Sequence, residues 1–101
     1  MYSKIKIGLV LMIVFSGACS SALYIPTQTD ADKAGVSTES LIQGRNLYVS
    51  KCGSCHNLHL PEQYTQKKWK EEMPEMQRKA KISGEEAKLI TSFLLARCKP
   101  E

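Results

Sequence analysis

KCGSCHNLHLP, residues 51–61, concentrates most of the reactive chemistry of this 101-residue chain. Cys52 and Cys55 are separated by two small residues, Gly53 and Ser54, and His56 follows the second cysteine directly. The flanks read as helices. Ser37 or Thr38 offers an N-cap, with Glu39 in the favourable first turn. Leu41, Leu47 and Tyr48 then recur at helical spacing, with Gly44 on the same side. A glycine inside a helix costs about 1 kcal/mol relative to alanine, so the close approach of another helix is expected at Gly44. This helix ends as Cys52 is reached.

Downstream, residues 56–64 read as a loop broken by Pro61. Thr65 is the expected N-cap of a second helix running into Trp69. Pro74 lacks an N–H and crowds the preceding turn, so a kink or restart is expected there. Ser83 and Glu86 form an S-x-x-E capping box, with Ile82 and Ala87 placed as a weak staple around it. The helix they start presents Leu89, Ile90, Phe93 and Leu94 on one face and runs to about Arg97, where Lys99 and Pro100 mark its end. No strand pattern or internal repeat stands out. The expectation is an all-α domain of about three helices over residues 37–99. A domain this small is marginal unless a disulfide, a metal or another group supplements its core.

The C-x-x-C-H pattern is a c-type haem attachment signal. Two thiols must reach two vinyl groups on neighbouring pyrroles, and a short curved segment with two intervening residues allows it. The next residue, His56, is then held beneath the iron as the proximal ligand. Its other ring nitrogen requires an acceptor to fix the tautomer. Three other chemistries use the same residues. A thioredoxin-like redox pair wants a βαβ context, and none is visible. A zinc site needs two further ligands, drawn from His56, His59, Cys98 or Cys19. A Cys52–Cys55 disulfide closes too small a loop to stabilise much.

With these residues in view, the chain resembles the small single-haem c-type cytochromes of bacterial periplasms. Residues 44–48, GRNLY, resemble the family's first-helix pattern, and residues 83–94, SGEEAKLITSFL, resemble its last helix. The likeness extends over residues 38–94. It implies a minimal cytochrome c-like fold around one covalent haem c per chain, with the first and last helices crossing closely at Gly44 and Tyr48 facing Phe93 or Leu94. It departs from larger members in having less chain between the haem histidine and the distal methionine, like the family's short subtype.

The sixth iron ligand is open between Met76 and Met73, with His59 and lysine as further candidates. Trp69, Met73 and Met76 are spaced to share one helix face. Met73-Pro74 resembles the Met-Pro of many such cytochromes. Trp69 followed by Met76 and then QRKAKIS resembles the short subtype more closely, and Met76 is favoured. Methionine is also an adaptable core filler, the expected role of whichever methionine is not the ligand. Leu58 and Leu60 are expected to line the haem. Pro61 follows the loop as prolines do in the resembling family, where a backbone carbonyl receives the proximal histidine's proton. Trp69 is expected either near a propionate, donating its indole N–H, or simply in the core. Cys98 has no assigned role.

Residues 1–18 have a basic start at Lys4 and Lys6, an apolar run and small residues before Cys19. That is the layout of a secretory signal peptide, and the apolar run is short for a membrane span. Ser16-Gly17-Ala18-Cys19 resembles a bacterial lipobox, although Ser16 stands where that pattern prefers leucine. The resemblance implies lipidation of Cys19. Residues 19–36 are polar and turn-rich and read as a flexible tether. Without residues 1–18 the chain holds twelve basic and ten acidic residues, which gives no ground for nucleic-acid binding.

The resulting expectation is a periplasmic, membrane-anchored one-electron carrier serving redox protein partners, and not an enzyme in itself. Lys51, Lys67, Lys68 and Lys70 are placed to ring the haem edge and steer an acidic partner. The alternative is a haem-based sensor or an accessory subunit of a larger redox complex.

Overall fold

A computed structural model describes residues 23–53 and 58–101. Within them lie four α-helices: α1 (Gln28–Ala34), α2 (Thr38–Lys51), α3 (Gln66–Ala80) and α4 (Gly84–Leu95), with a 3₁₀ turn at Pro61–Gln63. No strand occurs among the described residues. An isolated bridge pairs Thr65 with Lys99, and Lys99 N–H donates to the Tyr64 carbonyl at 2.9 Å. The all-α expectation therefore stands. The signal-like residues 1–18, Cys19, Cys55 and His56 lie outside the described residues.

Each helix starts on a polar side chain. Ser37, Thr65 and Ser83 accept from the backbone N–H groups of Ser40, Lys68 and Glu86, satisfying donors that would otherwise lack partners. The Ser83–Glu86 box closes in both directions. At the end of α3, Lys81 takes the left-handed conformation at φ 56°. Lys81 N–H reaches the Arg78 carbonyl and Ile82 N–H the Gln77 carbonyl, a Schellman turn that delivers Ile82 into the core.

Helices α2 and α4 make the main contact. A Cβ on Gly44 would sit on the Leu89 carbonyl oxygen, 2.8 Å from its carbon and 3.0 Å from Phe93 Cβ. The glycine is what lets the two backbones meet, as the sequence suggested. One turn along, the Tyr48 ring lies 6.0 Å from that of Phe93. Leu23, Tyr48, Trp69, Met73, Ile82, Ala87, Ile90, Phe93 and Leu94 form the main core.

Two expectations are corrected. The restart expected at Pro74 does not occur, because α3 is continuous from Gln66 to Ala80. Pro74 and Lys70 are both exposed, so water can serve the Lys70 carbonyl that Pro74 cannot. The tether is the second. Residues 23–36 are an arm packed on the domain. Thr27 and Asp30 close a capping box that starts α1, and Gly35 ends it at φ 73°. The Tyr24 ring stacks on Phe93 at 4.6 Å, and its hydroxyl donates to the Phe93 carbonyl. Ala31 joins Leu41 and Ala96 in a second core cluster. Asp30 accepts from Arg97 Nε at 2.8 Å and Nη2 at 3.1 Å, and the guanidinium lies 4.5 Å from the centre of the Tyr24 ring. Local polarity hid this arm because its partners lie in and just beyond α4.

Candidate functional site

Helix α2 ends at its C-cap, Cys52, and α3 runs past it. Between them opens a cavity of about 430 Å³ lined by Tyr48, Cys52, Leu58, His59, Tyr64, Lys68, Trp69, Glu72 and Met76. That volume lies within the roughly 300–1,000 Å³ of cofactor and small-molecule sites. A second cavity of about 390 Å³ shares Cys52 and Met76 and adds Lys51, Gly53, Lys79 and Ala80. Cys52 and Met76 therefore stand at a common boundary, joined there by folding alone.

The two methionines diverge. Met73 is buried in the main core and faces the groove between α3 and α4, beside Pro74, Gly84, Ala87 and Thr91. Met76, three residues later, is half-buried and turned toward Cys52. Their expected common face is thus shared out between core and cleft.

The chain that leaves the C-x-x-C-H motif is pinned by buried aromatic side chains. Tyr48 hydroxyl donates to the His59 carbonyl at 2.7 Å. Trp69 Nε1 donates to the Pro61 carbonyl at 2.8 Å. The side-chain oxygen of Gln63 accepts from Leu60 N–H. Tyr64 links the parts: its ring lies 5.2 Å from both Trp69 and His59, and its hydroxyl is 3.4 Å from His59 Nδ1. Burial pushes the Tyr48 hydroxyl well above the ordinary tyrosine range, so it remains a donor at any physiological pH. No buried side-chain polar atom among the described residues lacks a partner.

Of the residues singled out in the sequence, Cys52, Leu58, Trp69 and Met76 meet at the cleft. Leu60 and Pro61 pack behind it, Leu60 against the core and Pro61 fully buried. The Trp69 indole N–H is engaged by Pro61, which separates its role from the expected propionate contact. Tyr64 and Glu72 were not foreseen. A tyrosine immediately before the N-cap Thr65, and a carboxylate three residues after Trp69, were the available signals. Of the lysines, Lys68 and Lys51 border the cavities, while Lys67 and Lys70 lie elsewhere with Glu71 and Glu101. Lys79, one helical turn beyond Glu75, takes their place at the rim.

Burial raises the Cys52 thiol above its ordinary pKa, opposite to the lowering that a redox-active thiol pair needs. Cys98 is a half-buried free thiol packed against the main core. Among the described residues no three His, Cys, Asp or Glu side chains converge as a metal site, and no helix is long and apolar enough to cross a membrane. The cleft has aromatic and aliphatic walls, a thioether on one side and a thiol at its edge. Comparison with protein-family models, curated proteins and solved structures returned no match.

Proposed function

We propose that this chain is an exported, lipid-anchored electron carrier holding one covalent haem c. The observation that carries the reading is the cleft that joins Cys52 to Met76 beside the C-x-x-C-H motif. Cys52 and Cys55 would hold the group through thioethers, with His56 and Met76 as the protein's ligands to iron. Such a group supplies one-electron Fe(III)/Fe(II) chemistry, with a thioether ligand favouring the reduced form.

The chain's own residues then have distinct tasks. Tyr48, Leu58 and Trp69 exclude water from one wall, which further favours the state of lower charge. Tyr48 and Trp69 fix the His59 and Pro61 carbonyls and so restrain the chain just beyond His56. Met73 supports α3 from behind while Met76 faces the cleft. Lys51, with Lys79 shared with Glu75 at 3.6 Å, gives the rim near Cys52 some positive character suited to an acidic redox partner. Cys19, at the end of the signal-like stretch, would carry the lipid.

The test is a visible spectrum of the mature protein, made with a c-type maturation system, in both redox states. A sharp reduced α band, with a weak far-red oxidised band abolished by Met76→Leu and kept in Met73→Leu, is expected. Absence of all haem bands overturns the reading. Ready binding of carbon monoxide by the reduced wild type would instead point to a gas sensor with a labile Met76.

A further inference from the structure

The arm enters the domain at a defined place. Leu23 is buried in the main core. Arg45 of α2 holds its carbonyl through Nη2 at 3.3 Å and the Tyr24 carbonyl through Nε at 2.9 Å. Further along, Thr38 Oγ1 donates to Gln28 Oε1 at 3.3 Å. Thr38, Ile42 and Arg45 are four and three residues apart and share one stripe of α2. Residues 23–28 are bonded at both ends of that stripe, so they run antiparallel along it.

Between these bonds lie Ile25, 69% exposed, and Ile42, 39% exposed, the large exposed hydrophobics among the described residues. Pro26 beside Ile25 is buried, so the isoleucine projects from a fixed backbone. Single exposed apolar side chains are ordinary. What distinguishes this pair is its position relative to Cys19. Four residue steps separate Cys19 from Leu23, and such a length spans at most about 14 Å. The polar zone of one leaflet is itself roughly 5–8 Å deep.

We infer that the Ile25–Ile42 face of the domain docks on the lipid surface, with Ile25 entering the headgroup region. The inference rests on the reading that Cys19 is lipidated. The anchor then leaves too little chain for the domain to stand clear of the bilayer, and the face beside the entry point is the one carrying exposed isoleucines. Apolar side chains seated in this way add to membrane affinity in proportion to the area they bury. Cys52 lies ten residues beyond Ile42 along α2, about 15 Å down the axis.

The experiment uses the full mature protein, extracted from membranes and reconstituted into phosphatidylethanolamine–phosphatidylglycerol vesicles containing a diazirine phospholipid. After illumination, adducts are mapped by mass spectrometry and flotation is measured in parallel. Adducts are expected on the peptides spanning residues 23–28 and 38–45. Ile25→Glu, at a site too exposed to disturb folding, should reduce them several-fold while the protein still floats. Flotation with adducts confined to other surfaces, or unchanged by Ile25→Glu, overturns the docking face and leaves the anchor intact. Failure to float, with no acyl mass on Cys19, overturns the anchor and the docking face together. A dimer in detergent that Ile25→Glu dissociates would assign the face to a second copy and equally overturn the inference.

Discussion

The indole nitrogen of Trp69 and the carbonyl oxygen of Pro61 are 2.8 Å apart, joined by a buried hydrogen bond across eight residues. This bond connects α3 to the loop that follows the cysteine motif, and Tyr48 makes the equivalent connection from α2 to His59. The loop is thus braced from both helices that border the cleft.

Removing the donor of each brace tests its weight, with the aromatic ring kept in Tyr48→Phe and reduced in Trp69→Phe. Trp69→Phe leaves the Pro61 carbonyl with only the long bond from Tyr64 N–H at 3.5 Å, and Tyr48→Phe takes from the part-buried His59 carbonyl its side-chain donor. Each should cost about 1–3 kcal/mol, read as a lower urea midpoint at unchanged slope. A loss under about 0.5 kcal/mol in both would show that the loop is not held this way. With haem attached, both variants should also weaken the far-red methionine band, since slack beyond His56 relaxes the geometry opposite.

Gly44→Ala forces a methyl group onto backbone atoms of Leu89. Neither helix backbone can yield as a flexible side-chain tip would, so the gain in helix propensity is outweighed. Overpacking of this kind costs about 1–3 kcal/mol. Urea unfolding checks it, and a Gly44→Ala variant more stable than the wild type would mean that the two helices do not cross here.

The methionines should separate by readout. Met73→Ala removes a buried side chain of the main core and should cost about 2–5 kcal/mol. Met76→Ala, at a half-buried cleft position, should cost much less in the haem-free protein. Equal losses in the haem-free form would contradict the division of α3 into a core methionine and a cleft methionine.

The arm provides a pH test. The Arg97 guanidinium, with smaller help from Thr27, holds the Asp30 carboxyl down at about 2, against an ordinary 3.8. A carboxylate depressed on folding stabilises the native state above its unfolded pKa. That contribution fades as pH falls from about 4 toward 2. Arg97 is partly exposed, so screening reduces the contribution to about 1–2 kcal/mol. Asp30→Asn should lower stability at neutral pH and flatten its dependence between pH 4 and 2. Parallel curves for wild type and variant would remove Asp30 from the acid response.

Local chemistry was the legible part of this sequence. Ser37, Thr65 and Ser83 announce their helices because capping is decided within three residues. Gly44 announces a crossing because a mid-helix glycine is costly without one. The arm was not legible, although Thr27-x-x-Asp30 is itself a capping pattern. What holds α1 is Tyr24 against Phe93 and Asp30 against Arg97, contacts with no local trace. Pro74 was misjudged because its effect depends on whether the orphaned carbonyl meets water, a tertiary matter. At the site, resemblance favoured Met76 over Met73 as a ligand, while the placing of Met76 beside Cys52 and of Met73 in the core came from packing that spacing did not show. Tyr64 escaped because nothing in a single tyrosine distinguishes a cleft wall from a core.

The arm also orders events in time. Synthesis proceeds from the amino end, so Tyr24 and Asp30 exist well before Phe93 and Arg97, which are 69 and 67 residues away from them. Helix α2 can hold the arm early through Arg45 and Thr38, but the Tyr24 stack and the Asp30 pair must wait for the last segment of the domain. Closing such distant contacts is slow relative to forming helices. Helices α2 and α3 therefore have time to form, and the cysteine motif to remain accessible, before the two ends of the domain meet and the native structure locks.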